Sequence, residues 1–389
     1  MKNSLVIISH SFRTNSRILG EAMKNSGVTV VYASPWYFDK EERKVIKSGD
    51  QTFYKRSINF FAAELSLKLG LPLYVLQDKD PGNVIQEIVS KNNVSKVYYD
   101  MPLFGNNSWI KFKEKPVVID SDSYDPFCSK MTAKSRWVYW SKNRNQKPIM
   151  PKGSFKSLDL NLPRVRINKE EYLLLKNEIE KVNTRLSDII PNYHITRNHK
   201  EGSTLLSKYL HHGLVDGCEL VSDILEICPE FLNNDNELVP LLRQLAFREI
   251  CIRKARIHGL TLTEDVESWA SRLLDKKSLS NLKREFPGKF TAEQFISGET
   301  GDKLIDNTIS NLVKEKWLPN RIRMWLASQA YYGIGGGIDS LLALVRIFNM
   351  YSDDGQSPNN YVSCVESMRM QYGKVMNYNT IKSFNLAGM

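Results

Sequence analysis

Three short stretches carry residue types whose spacing suits ligand chemistry. In Ser203-Thr204-Leu205-Leu206-Ser207, hydroxyl groups crowd the entry to a predicted helix, where side-chain O–H and main-chain N–H groups can hold phosphate oxygens. The same residue types serve as helix N-caps, so the local pattern fits either role. In the run Gln244-Leu245-Ala246-Phe247-Arg248, helical spacing sets Gln244, Phe247 and Arg248 on one side. An amide beside an aromatic ring suits a pocket wall or a core with a satisfied polar group. The third set follows Pro319, where Asn320, Arg323, Met324 and Ala327 share a face. An amide, a cation and a thioether on an otherwise apolar helix point to the wall of a ligand pocket.

The elements that position these sets can be read from periodicity. Leu304, Ile305, Ile309, Leu312 and Val313 recur at helical spacing as far as Lys316-Trp317, and Thr300-Gly301-Asp302 supplies a turn and an acidic start. Pro319 is expected to stop that helix and to open the next. Earlier in the chain, apolar strands at Leu5 to Ile8, Val28 to Ala33, Leu73 to Leu76, Lys96 to Tyr99 and Pro116 to Ile119 alternate with helices at Ile18 to Lys24, Ile58 to Leu69 and Val84 to Lys91. That rhythm predicts an α/β domain, an open parallel Rossmann-like sheet, over residues 1–125. Residues 126–168 lose periodicity and read as an interdomain linker, its Trp137, Tyr139 and Trp140 suited to packing along a surface. Residues 169–389 read as an all-α domain with a turn-rich end after Tyr351.

Composition narrows the partners. A chain of 389 residues with 42% hydrophobic content can bury two cores, and a formal charge of +11 favours a polyanion, of which nucleic acid is the commonest. Cys128, Cys218, Cys228, Cys251 and Cys364 form no CxxC pair, so neither a disulfide framework, a zinc ribbon nor an iron-sulfur centre is expected. No apolar run is long enough to span a membrane, and a soluble, cytoplasmic monomer is the expectation. Adjacent His211 and His212 should not share a helical face, so no metal pair is expected. The glycines at Gly333, Gly335, Gly336 and Gly337 follow a helix, which suits a hairpin better than a phosphate loop.

The phrase TGxxLIDxxxxxLxxxxWxxNRxRMxxAS, from Thr300 to Ser328, resembles the flavin-binding helical domain of the photolyase and cryptochrome superfamily. Tyr193 to Arg197, STLLSKYLHHG from Ser203 to Gly213, LLRQLAFREI from Leu241 to Ile250, and RIFN from Arg346 to Asn349 match the same family in order, and SFRTNSRIL from Ser11 to Leu19 matches its arginine-rich first loop. The resemblance implies FAD in the all-α domain, with Tyr193, Ser203, Thr204, Leu206, Ser207, Arg248, Asn320 and Arg323 as cofactor contacts. It implies DNA containing cyclobutane pyrimidine dimers as the partner and blue light as the energy source. Gln244, Phe247, Asn320 and Met324 would then meet the flipped-out lesion. An antenna chromophore is left unassigned.

Departures from the family pattern are equally specific. Gln244 and Phe247 stand where the family presents a carboxylate and a tryptophan, and restoring the carboxylate is expected to leave repair unchanged or faster. Asn320 and Met324 match the cyclobutane-dimer pattern instead of the paired histidines of (6-4) repair enzymes. Lys208 replaces a proline and would add charge near the phosphates. After Ser328 the segment with an Asp-Gly-Asp motif, an asparagine facing the flavin and two relay tryptophans has no counterpart. Arg323 would need another partner, Asp339 or a different carboxylate, and Trp317, Trp325, Tyr331 or Tyr332 would have to carry electrons. A cryptochrome-like receptor and a flavin-free nucleic-acid-binding descendant are the alternatives.

Overall fold

The computed structural model describes residues 3–24, 27–33, 49–76, 80–100, 116–119, 155–197, 199–229, 240–257, 288–335, 338–352 and 359–360. Five strands, β1 (Asn3–Ile8), β2 (Gly27–Tyr32), β3 (Leu73–Val75), β4 (Val94–Asp100) and β5 (Val117–Ile119), form one sheet in the order β3-β2-β1-β4-β5. Every pairing is parallel. Successive residues of β1 explain why: Val6 and Ile8 are buried against one layer and Leu5 and Ile7 against the other, as a sheet covered on both faces requires. Helices α1 (Arg17–Ala22), α2 (Gly49–Leu69) and α3 (Pro81–Lys91) connect the strands. The predicted elements are present; α2 begins nine residues before the expected Ile58.

Strand order reverses at β1 and β4, whose carboxyl ends lie side by side. There Asp100, fully buried, accepts from Ser11 N at 3.0 Å and from Ser11 Oγ at 3.2 Å, with His10 Nδ1 at 3.3 Å. Residues 155–168 run beside the sheet: Lys156 C=O accepts from Val28 N, and Val75 N donates to Pro163 C=O. The aromatics Trp137, Tyr139 and Trp140 lie outside the described residues.

The rest is helical: α4 (Lys169–Ile189), α5 (Tyr193–Thr196), α6 (Ser207–His211), α7 (Gly217–Ile227), α8 (Pro240–Ile257), α9 (Ala292–Ser297), α10 (Lys303–Glu315), α11 (Asn320–Ile334) and α12 (Ile338–Tyr351). Caps set the starts. Asn168 Oδ1 accepts from Glu170 N and Glu171 N, Thr291 and Gln294 form a capping box, and Asp302 Oδ1 accepts from Leu304 N and Ile305 N. One apolar core joins one face of the sheet, α2 and helices α4 to α8, a smaller one lies between the other face and α3, and α9 to α12 share a third with Phe295, Ile309, Leu326 and Leu344 at its centre.

The two halves meet through a buried ion pair. Arg13, in the loop after β1, donates from one guanidinium nitrogen to Asp216 Oδ2 at 2.7 Å and from the other to Gly213 C=O at 3.0 Å. Gly213 is where α6 turns toward α7, with φ +63°, and a Cβ there would lie 2.3 Å from His10 O. Only glycine lets the loop and the turn approach this closely.

Candidate functional site

Around Pro319 the local structure departs from the sequence expectation in a way that shapes the site. Helix α10 ends at Glu315, before the proline, because Lys316 takes the left-handed conformation at φ +56° and returns its N–H to Leu312 C=O. Pro319 is then the N-cap of α11 and not its first residue. Trp317, Leu318 and Pro319 therefore form a short non-helical segment, and all three line a cavity of about 350 Å³. Such a volume falls at the lower end of the range of about 300–1,000 Å³ typical of small-molecule sites.

The hydroxyl cluster shares that cavity. Ser203, Thr204, Leu205, Leu206 and Ser207 all line the cavity. Leu205 adopts φ +53° and Leu206 returns to the right-handed helical region, a left-then-right alternation that turns consecutive main-chain N–H groups toward one side. Concavities of this kind bind anions. A non-glycine residue held at positive φ is strained, and the strain here sits beside the hydroxyls of Ser203 and Thr204.

From α11 the cavity receives Asn320, Arg321, Arg323 and Met324; Ala327 is fully buried and belongs to the α9–α12 core. Asn320 is exposed, Met324 half-buried and Arg323 buried. The Arg323 guanidinium donates from Nε to Leu318 C=O at 3.0 Å and from a terminal nitrogen to Asn360 Oδ1 at 2.6 Å, and stacks over Phe348 at 5.8 Å. One of its partners is thus an amide oxygen from the chain beyond α12. Asn359 and Asn360 both line the cavity. Both belong to the turn-rich end, which carries no motif of its own.

Helix α8 contributes Gln244 and Phe247. Arg248 departs from the expectation of a cofactor contact: it is not part of the cavity lining, and its guanidinium donates to Leu210 C=O at 2.8 Å, tying α8 to α6. Tyr193, at the start of α5, is buried with its hydroxyl donating to Gln244 Oε1 at 2.6 Å. Burial pushes the Tyr193 phenol up to about 12 against the opposing influences of Arg197 and Gln244.

Two further arginines line the cavity beside residues of the sequence motifs. Arg197 lies one helical turn from Tyr193, and Arg321 follows Asn320. Burial lowers the Arg197 pKa from its ordinary value, and the positive charge of Arg321 lowers it further. Like charges facing one space leave a positive potential there, and among the described residues no carboxylate forms an ion pair with Arg197.

Other expected features move elsewhere. Lys208 does not line the cavity; its ammonium sits 4.7 Å from the Phe53 ring centroid on α2 and 5.2 Å from that of Tyr209. His211 and His212 do meet, ring centroids 4.7 Å apart edge to face, because α6 ends at His211. No group of three or more metal-ligating side chains occurs among the described residues. Gly333 lies inside α11 under the Phe290 ring, and Gly335, at φ +107°, ends the helix. Of the aromatic residues considered as electron carriers, Trp317 lines the cavity, Trp325 is buried in the α9–α12 core, and Tyr331 and Tyr332 stack edge to face at 5.1 Å. No described helix is long and apolar enough to cross a membrane.

The residues present fit FAD: a strained main-chain nest with hydroxyls for phosphate oxygens, arginines for negative charge, and Phe247, Trp317, Leu318 and Met324 as flat or apolar surfaces for a ring system. No protein-family profile and no curated protein sequence matches the chain. Solved structures do. A bacterial class III photolyase from Agrobacterium tumefaciens is similar with a TM-score of 0.61 at 15% identity, over 97% of this chain and 80% of that one. The cryptochrome of Synechocystis sp. is similar with a TM-score of 0.66 at 18% identity, over 94% of this chain and 82% of that one. With a parallel five-stranded sheet leading into a helical remainder, the chain has the fold of the photolyase and cryptochrome superfamily.

Proposed function

We propose that the chain is a light-dependent DNA repair enzyme that splits cyclobutane pyrimidine dimers, with reduced FAD as the electron donor. The observation that carries the reading is the make-up of one cavity, in which a phosphate-suited nest, apolar and aromatic surfaces and paired arginines face the same space. The 15% identical neighbour bears the name photolyase, which agrees with it. When bound, FAD supplies light-driven electron transfer.

The chain's own residues bind, orient and exclude water. Ser203, Thr204 and Ser207 would hold phosphate oxygens, and Arg323, fixed by Asn360 and Leu318, would supply a cation to the same cavity. Phe247 provides a stacking face for an unstacked base, while Trp317 and Met324 keep water from the reacting rings. Arg197 and Arg321 neutralise backbone phosphate, in keeping with the chain's charge of +11.

A second reading, a cryptochrome-like receptor that keeps the flavin without repair, draws support from Gln244: an amide cannot deliver a proton at that wall as a carboxyl group can. The visible absorption spectrum, before and after reconstitution with FAD, followed by blue-light treatment of dimer-containing DNA, separates the readings. Flavin bands with loss of dimers support the repair enzyme. Flavin bands with dimers intact favour the receptor. A colourless protein that FAD cannot reconstitute leaves a nucleic-acid-binding descendant of the fold.

A further inference from the structure

The hydrogen bond between Tyr193 and Gln244 decides what the α8 wall can recognise. The phenol is buried and donates its proton to Gln244 Oε1 at 2.6 Å. A primary amide has one acceptor end and one donor end. With Oε1 engaged by the phenol, the Nε2 end of Gln244, an exposed side chain on the cavity lining, is the donor this wall can offer a ligand. Burial keeps the phenol protonated throughout the neutral range, so the proton it donates to Gln244 Oε1 is present there.

We propose that Tyr193 is a positioning residue that fixes the amide of Gln244 with its N–H facing the cavity, so that this wall selects a ring carbonyl oxygen of a pyrimidine. The inference rests on the repair reading and deepens it, changing Tyr193 from a cofactor contact to a residue that acts through Gln244. It also reverses the expectation that a glutamate at this position is harmless. A carboxylate would accept from the phenol and still turn a second acceptor oxygen toward the carbonyl, placing acceptor against acceptor.

The test is dark binding of the full chain, by fluorescence anisotropy, to a single-stranded oligothymidylate with one central cyclobutane dimer and to the undamaged strand. Near neutral pH, Tyr193→Phe weakens dimer binding about fivefold and leaves the undamaged strand unaffected. In a Gln244→Met background the same change has no further effect, as expected of a residue that works through the amide. Gln244→Glu binds the dimer about tenfold more weakly than wild type near pH 8, and the deficit shrinks as pH falls toward about 4, where a growing share of the carboxyl is protonated and becomes a donor.

Circular dichroism melting curves confirm that each variant is folded, and every affinity is taken as a ratio to wild type at the same pH. Glutamate binding as tightly as glutamine near pH 8, or additive losses from Tyr193→Phe and Gln244→Met, overturns the inference while leaving the repair reading in place. Equal affinity of the wild type for both strands overturns the repair reading together with it.

Discussion

Replacing Asp216 with asparagine isolates the charge that joins the two halves of the chain. Arg13 and Asp216 are both nearly inaccessible to water, at 4% and 6% side-chain exposure, and their N–O distance is 2.7 Å. Asp216 also receives Glu219 N at 3.2 Å on its other oxygen, in the first turn of α7. Asparagine caps helices about as well as aspartate, so that contribution cancels in the Asn variant. The shape and one acceptor oxygen survive as well. What disappears is the negative charge opposite a buried guanidinium, and a charged hydrogen bond of this kind contributes about 1.5–3 kcal/mol. Asp216→Asn should therefore cost about 2–3 kcal/mol, and Asp216→Ala about 1 kcal/mol more through the lost cap. Equilibrium urea unfolding followed by circular dichroism measures both. Adding Arg13→Met to Asp216→Asn should restore part of the loss, since no buried charge is then left without the other. A change below about 0.5 kcal/mol for Asp216→Asn, or a further loss in the double variant, would refute this account of the junction. Because Arg13 also donates to Gly213 C=O, just past the C-terminal end of α6, Arg13→Met should loosen the turn between α6 and α7 as well.

Three further outcomes follow from the site. Arg323→Ala, which removes the donors to Leu318 and Asn360, should weaken FAD binding by tenfold or more in fluorescence titration while leaving affinity for undamaged DNA nearly unchanged. Arg197→Ala should weaken binding of damaged and undamaged strands alike and reduce the slope of log affinity against log salt by about one, as measured by anisotropy across a salt series. Spectrophotometric titration should find late phenolate transitions near pH 12 from both Tyr193 and Tyr172, with the Tyr193 contribution absent in Tyr193→Phe. With the folded pKa above the ordinary value of about 10, the stability linked to Tyr193 is fully present below about pH 10. It falls by up to about 3 kcal/mol as pH rises toward 12.

Much of the architecture was legible because it rests on local periodicity. The continuous apolar run of β1, buried on both faces, and the helical spacing of Ile305, Ile309 and Leu312 are set within a few residues, and both elements occur where the pattern puts them. The hydroxyl cluster and the face of Asn320, Arg323 and Met324 were legible for the same reason. Gln244 and Phe247 reach the same cavity, but Arg248, one position further along α8, points to the carbonyl of Leu210; helical neighbours diverge by about 100° per residue, and a tertiary partner decided its side. The Asn360 contact joins Arg323 to a position 37 residues away, which no local pattern encodes. Lys316 ended α10 before the proline because a left-handed cap satisfies a helical carbonyl, a device usually signalled by glycine or asparagine and here carried by lysine. Lys208 turned to the Phe53 ring because α2, distant in sequence, offers that face.

The most direct measurement is the amount of FAD that the purified full chain retains or takes up, read from its visible spectrum and by fluorescence titration. The account predicts saturation at one FAD per chain, with occupancy lost on Arg323→Ala. No uptake at any FAD concentration, or uptake indifferent to Arg323, would contradict the claim that this cavity is a flavin site.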